Sequence, residues 1–360
     1  MSNLYIGVMS GTSLDGIDIA LCEISQNATK LLSAKEYAYP QELKEEILQI
    51  IAHPIPLKTI GELDVKLGRL FAKSINAFLQ EQKREAKEIK AIGLHGQTLW
   101  HEPHSQYPFS MQLGSGSIVA AETAISTVTD FRNGDIANGG EGAPFAPAFH
   151  KEIFSHLGEG VAIVNIGGMA NITYLGKEPL GWDIGCGNVL LDSFIEATQN
   201  KAYDKDGLFA RSGELNLELL QNMLRDEYFA RTPPKSTGRE YFNAQWLEKH
   251  LLNFSALKDE DIQRTLLELT AVTIANEVNR LHAKELILCG GGANNTFLRE
   301  RIENLCRCSV ERSDAYGVSS DFLEAMIFAW FAFKRVHSQT INLQSITGAK
   351  KDSLLGAIYG

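Results

Sequence analysis

The chain has 360 residues, with 34 basic against 44 acidic side chains and a formal charge of −10; 44% of residues are hydrophobic and 22% charged. At roughly 100–200 residues per domain, this length suits two domains with sizeable cores, and the mix excludes a disordered chain. The acidic balance provides no electrostatic reason to bind nucleic acid or an anionic membrane.

The N-terminus, Met1 to Gly11, lacks a basic region followed by an apolar core, so no secretory signal is expected. Leu4–Met9 and Ile17–Ile24 read as strands around a polar turn, Ser10 to Gly16. A helix is expected from Gln41, broken at His53-Pro54-Ile55-Pro56 and resumed from Lys58 to Lys87. There Ile60, Leu63, Leu67, Leu70, Phe71, Ile75 and Phe78 make one apolar stripe. Ile89–Leu94 reads as a buried strand, and Trp100 to Pro147 as a long irregular stretch whose apolar content argues against disorder.

Val161–Ile166, a turn at Gly167–Ala170, and Asn171–Leu175 repeat the opening strand–turn–strand shape, as a duplicated core would. Helices are expected at Val189–Thr198, Leu215–Leu224 and Ile262–His282, a strand at Leu286–Cys289, and helices at Thr296–Leu305 and Ser320–Lys334. Strands and helices in alternating blocks favour a layered α/β architecture. The longest apolar stretch, Phe322 to Phe333, contains Glu324 and is too short to span a bilayer. Five cysteines (Cys22, Cys186, Cys289, Cys306 and Cys308) without a CxxC point to a cytosolic chain with reduced thiols.

Three glycine-rich turns follow strands: Gly11–Gly16, Gly167–Ala170 and Gly290–Gly292. Each alone reads more readily as an ordinary hairpin or strand-end turn. Together they point to nucleotide phosphates, because glycine lets backbone amides approach an anion closely. No G-x-x-x-x-G-K-[ST] is present, and Gly114-Ser115-Gly116 lacks a third glycine, so the usual phosphate loops are excluded. Asp183, just before the glycines at 185 and 187, reads either as a helix cap or as a general base held by a turn. Asp130, Arg132, Asp135 and Glu141 lie in a glycine-rich loop that reads as solvated or as shaped for a ligand. His95, His101 and His104 lack metal-ligand spacing, and no metal site is assigned. Glu324 in an apolar helix must be paired, protonated or open to solvent at a domain cleft.

These blocks closely resemble the anhydro-N-acetylmuramic acid kinase family of cell-wall recycling. The resemblance rests on Gly7 to Asp18, His95-Gly96-Gln97-Thr98, Asp130 to Pro144, Asn165 to Thr173, Pro233 to Glu240, and Gly290-Gly291-Gly292 with Asn295. It runs from about Tyr5 to Gly356. It implies an α/β, two-domain actin-like ATPase fold, similar to hexokinase, Hsp70 and actin, with a central mixed sheet in each domain and a cleft between them. The expected boundaries are 1–130 with 337–360 for the first domain and 131–336 for the second.

The resemblance implies a kinase that uses ATP and Mg²⁺. It would open the 1,6-anhydro ring of its sugar with water and phosphorylate O6. It further implies a cytoplasmic homodimer whose ligands are small molecules. Asp183 would be the base, with Glu324 helping to orient the water. ATP would be held by Gly11, Thr12, Ser13, Leu14, Asp15, Gly16, Ile17 and Asp18 at the first turn. Gly167, Gly168 and Asn171 would serve the second turn, and Gly290, Gly291 and Gly292 the adenosine. The sugar would meet His95, Gln97, Asp130, Arg132, Glu141 and Asn188.

One departure stands out: the family pattern Asp-Thr-Gly-Pro-Gly-Asn is here Asp183-Ile184-Gly185-Cys186-Gly187-Asn188. Losing proline frees φ, so the turn is expected to be kept with reduced rigidity. Three other readings compete: a non-catalytic ATP-dependent switch, a metal-dependent hydrolase using His95 and His101, and a kinase of the same fold for another small substrate.

Overall fold

The computed structural model describes residues 3–11, 14, 16–26, 28–233, 235–239 and 241–360. The chain forms two compact units, Met1–Ile153 with Phe322–Gly360, and Phe154–Asp321. In the first, β1 (Leu4–Ser10), β2 (Ile17–Ile24) and β3 (Thr29–Tyr37) make an antiparallel meander. β4 (Ile89–Glu102) then pairs parallel with β1 and carries β5 (Phe109–Leu113) as a hairpin partner. β6 (Thr127–Thr129) pairs parallel with β4, and the C-terminal strand Ala357–Tyr359 closes that edge.

Strand alternation explains the layers of this unit. Ile6 and Val8 join Leu63, Leu67, Phe71, Ile75 and Phe78 of the helix Leu57–Glu81 in one core. Tyr5 and Gly7 face the other way, where Tyr5 meets Phe333 edge-on at 5.5 Å. Both faces of the sheet are covered, so β1 is apolar throughout rather than alternating.

In the second unit, β7 (Val161–Ile166), β8 (Met169–Leu175) and β9 (Pro179–Cys186) form an antiparallel meander. β10 (Glu285–Cys289) pairs parallel with β7, and β11 (Ser309–Arg312) parallel with β10. The strand order β3-β2-β1-β4-β6 of the first sheet therefore matches β9-β8-β7-β10-β11 of the second. Two mixed sheets of one topology are the duplicated core of the actin-like ATPase fold. The helix Asp259–Arg280 is buried along most of its length, with Leu266, Leu267, Leu269, Ile274 and Val278 in the core.

The unit boundary differs from the expected one, since 131–153 and 322–336 belong to the first unit. Gly7 and Gly93 are register partners on β1 and β4. A Cβ on Gly7 would run into the Ala325 carbonyl oxygen, and one on Gly93 into that of Phe328. The helix Leu323–Val336 therefore lies directly on the sheet backbone of the first unit. Residues before the boundary are tied in as well. Glu141 N–H donates to the Thr347 carbonyl at 3.0 Å, and Lys334 Nζ stands 3.5 Å from Glu152 Oε2.

The stretch 100–147 is also more regular than expected. It holds the end of β4, all of β5 and β6, and the helices Gly116–Thr123 and Phe131–Ile136. These are short pieces stabilised by distant partners, so local periodicity carries little sign of them. No helix among the described residues is long and apolar enough to cross a membrane.

Candidate active site

In the first unit the opening turn joins Ser10 to Ile17, which are register partners. Thr12, Ser13 and Asp15 lie outside the described residues. Leu14 is buried at φ +57° and its N–H donates to the Gly11 carbonyl at 3.2 Å. Gly16 sits where a Cβ would strike the Glu36 side chain. Ile17 is buried on β2, and Asp18 follows it opposite Met9.

A buried polar knot holds this turn from beneath. The Gln97 side-chain carbonyl accepts from Ser10 Oγ, and the Tyr39 hydroxyl, 2.6 Å from Ser10 Oγ and 3.2 Å from the Gln97 oxygen, shares its one proton between them. The Gln97 amide donates at 3.3 Å to the carbonyls of Gly11 and Thr98. Gln97, expected to bind sugar, thus spends its hydrogen bonds inside the unit as a brace of the turn.

His95 is buried against Phe328, ring centroids 4.7 Å apart, and its Nε2 accepts from Arg132 Nε at 3.1 Å. Nε2 is therefore unprotonated. Burial, with the Arg132 charge adding to it, pushes the His95 pKa down to about 3. Glu324, in the first turn of the helix Leu323–Val336, keeps solvent access. Desolvation nonetheless raises its carboxyl, and Arg132 pulls in the opposite direction. Burial lowers the Arg132 guanidinium while Glu324 raises it. The sequence-expected residues His95, Arg132 and Glu324 are thus gathered into one coupled group.

Asp130 and Glu141 stay exposed at the rim of the same loop. Asp130, at φ +59°, accepts from Asn133 Nδ2 at 2.7 Å, and Glu141 faces His104 Nε2 at 3.8 Å. The loop is fixed by Asp135, whose buried carboxylate accepts from Gly142 N–H at 2.8 Å and Thr347 Oγ1 at 2.9 Å. His101 bonds Ser110 Oγ at 3.0 Å. Among the described residues, no group of three or more His, Cys, Asp or Glu side chains is placed to hold a metal ion.

In the second unit Gly167 and Gly168 form the hairpin between β7 and β8. Their carbonyls accept from Asn188 N–H at 2.8 Å, Gly187 N–H at 2.9 Å and Val189 N–H at 3.0 Å. Cys186, which stands where the resemblance implies a family proline, is the last residue of β9, and Gly187 follows it. A Cβ on Gly187 would strike the Gly167 carbonyl oxygen, so only glycine fits there.

Asp183 is not in a turn, as expected, but on β9, opposite Asn171 of β8; Asn171 in turn pairs with Asn165 of β7. These three polar residues form a row across the sheet. Gly290, at φ +81°, approaches the Asn165 amide oxygen too closely for any side chain. Gly292 lies under Ile166 and Asn188, and Asn188 Nδ2 donates to the Ile166 carbonyl at 3.4 Å. Asn188 is thus wedged between two glycine turns; it also stands at the N-cap position of the helix Val189–Gln199. Gly291 has open space on its Cα.

Asp183 is held on several sides. Its backbone carbonyl accepts from Tyr228 OH at 2.9 Å, its N–H donates to the Lys235 carbonyl at 3.1 Å, and Oδ2 accepts from Thr237 N–H at 3.0 Å. Arg239 lies against the second turn, its Nη2 3.6 Å from the place of a Cβ on Gly168. Pro234 and Glu240 of this block lie outside the described residues. Sequence reasoning missed Tyr39 and Tyr228, because each joins the site only through folding.

A family model described as anhydro-N-acetylmuramic acid kinase matches residues 3–360. Proteins so named from Sulfurimonas denitrificans and a Sulfurovum species are 53% and 51% identical, covering 100% and 99% of this chain and 100% and 98% of their own. One from Mannheimia succiniciproducens is 44% identical over 100% of this chain and 99% of its own. Among solved structures, the activator of the 2-hydroxyisocaproyl-CoA dehydratase from Clostridium difficile aligns at 12% identity and TM-score 0.47, covering 93% of this chain and 96% of its own. A ROK family glucokinase from Streptomyces griseus aligns at 11% identity and TM-score 0.41, covering 91% and 97%.

Proposed function

The chain belongs to the anhydro-N-acetylmuramic acid kinase family, and from that premise we propose that it hydrolyses the 1,6-anhydro bond of anhydro-N-acetylmuramic acid and phosphorylates O6 with ATP. Asp183 takes a proton from water as the water oxygen bonds C1. The C1–O6 bond breaks, O6 bonds the γ-phosphorus of ATP, and ADP leaves. One carboxylate base is enough, because the sugar oxygen is released without a proton to remove. The products are N-acetylmuramic acid 6-phosphate and ADP, which places the reaction in cell-wall recycling. Glu324 assists in orienting the water, and His95, Asp130, Arg132, Glu141 and Asn188 make up the sugar-side set, while Gln97 braces the first turn. The amides at Gly11–Asp18, Gly167, Gly168 and Asn171 take the phosphates, and Gly290–Gly292 the adenosine.

The single observation that supports this reading most is the Asp183 carboxylate, fixed by Thr237 N–H in the same unit as Gly187, Gly290 and Gly292, none of which leaves room for a Cβ. Mg²⁺ suits the chemistry of the donor set: it uses few protein carboxylates beside water and phosphate oxygens, and Asp18 offers a carboxylate next to the first turn. When bound, Mg²⁺ neutralises charge on the transferring phosphoryl group. The enzyme would work in the cytoplasm as a homodimer.

The test is to incubate the protein with Mg-ATP and the anhydro sugar and follow ADP and sugar 6-phosphate. Asp183→Asn should bind ATP normally and lose turnover by roughly a hundredfold or more. Near-normal turnover in that variant removes Asp183 as the base.

A further inference from the structure

Asp183 lies on β9, the edge strand of its sheet, and among the described residues no further strand steadies it. The support comes from the segment 235–239. Its Lys235 carbonyl accepts Asp183 N–H, and its Thr237 N–H donates to Asp183 Oδ2. Among the described residues from Arg231 to Asn243 there is neither helix nor strand, so no secondary structure holds this segment in place.

The Lys235 side chain ties it to the unit's interior. Lys235 turns inward, its side chain 3% exposed, and places Nζ 3.2 Å from Oε1 of Glu277, whose side chain is 11% exposed. Glu277 stands on the helix Asp259–Arg280, and its Oε2 accepts from Arg280 Nη2 at 2.6 Å. The Lys235 ammonium also lies 5.0 Å from the ring centroid of Tyr228, whose hydroxyl donates to the Asp183 carbonyl. Segment, helix and strand are therefore joined at one buried ion pair. Such a pair contributes little stability beyond what apolar residues of the same size would provide.

We propose that the Lys235–Glu277 ion pair is a positioning device for the Asp183 carboxylate; this rests on the reading of Asp183 as the base. The pair ties the segment to the helix, and the segment delivers the Thr237 N–H to Oδ2. That hydrogen bond fixes the rotamer of the carboxylate and favours its ionised, proton-accepting form. Other charged groups on the elements packed around the segment are Asp226, Glu227, Arg231, Arg239 and Arg280, together with the Tyr228 phenol.

The experiment uses the full chain with two changes: Glu277→Gln alone, and the double variant Lys235→Met with Glu277→Met. The double variant leaves no buried charge unpaired, so it should fold even if the single one is weakened. Its two opposite charges leave together, so a shift in pH profile reports the lost hydrogen bond rather than a changed field. In both variants kcat/KM for the anhydro sugar should fall by roughly tenfold, with the ATP KM within about twofold. In the double variant the acid limb of kcat/KM should move up by about one pH unit. A folded double variant with unmoved kcat and acid limb overturns the proposal. So does activity that falls only in step with the folded fraction in thermal unfolding. Asp183→Asn separates the two ideas. If it is inert while the double variant is unchanged, positioning fails and the base stands; if it turns over normally, both fall.

Discussion

His95 carries a pH signature of its own. Its imidazole is neutral at physiological pH, because burial and the Arg132 charge push its pKa down to about 3. In the unfolded chain a histidine takes up its proton near the ordinary value of about 6.5. As pH falls from there toward the folded value, the unfolded state binds more protons and stability drops. At pH 5 the His95 share of that loss is about 2 kcal/mol. His95→Gln keeps an acceptor for Arg132 and removes the titration. The variant should show a smaller fall in melting temperature between about pH 7 and 5 than the parent chain. Equal falls would mean that His95 is not held neutral. The type and spacing of such residues were readable in the sequence, as His95 and Arg132 show. Their partners were not: Gln97 reads as a ligand contact until Ser10 and Tyr39 are seen to occupy it.

Elements with strong patterns were expected close to where they lie. The helix Thr296–Leu305 matches its expected span, and Asn295 caps it by accepting from Leu298 N–H. β3, β5, β6, β9 and β11 were missed. β9 shows why: its Pro179, Gly181, Asp183 and Gly185 are turn-like residues, and only the ladder to β8 makes them a strand. The Asp183 position was therefore read as a turn. The glycines beneath the helix Leu323–Val336 give a sharper test of the element packing. Gly93→Ala would press a methyl group into the Phe328 carbonyl, and should cost about 3 kcal/mol in urea unfolding. Gly61→Ala, on the helix Leu57–Glu81 with nothing near its Cα, should instead be neutral or stabilising by up to about 1 kcal/mol. Equal effects at the two sites would contradict the close helix–sheet contact.

At the scale of the whole molecule, the weak strand–turn–strand echo in the sequence corresponds to two sheets of the same strand order. The echo was readable because each hairpin is local. The unit boundary was not, since it depends on where the helix Leu323–Val336 packs, which its apolar composition does not say. The glycines divide along the same lines: some clear space for packing, as Gly7 and Gly93 do, and others shape turns, as Gly187 and Gly290 do. The central claim is that one molecule both adds water at C1 and transfers phosphate to the oxygen released. The measurement that tests it most directly is turnover of the anhydro sugar with Mg-ATP in ¹⁸O-water. The account predicts ¹⁸O in the C1 hydroxyl of the 6-phosphate product, none in the phosphate group, and one ADP for each sugar opened. Label in the phosphate, or ADP released without ring opening, would contradict it.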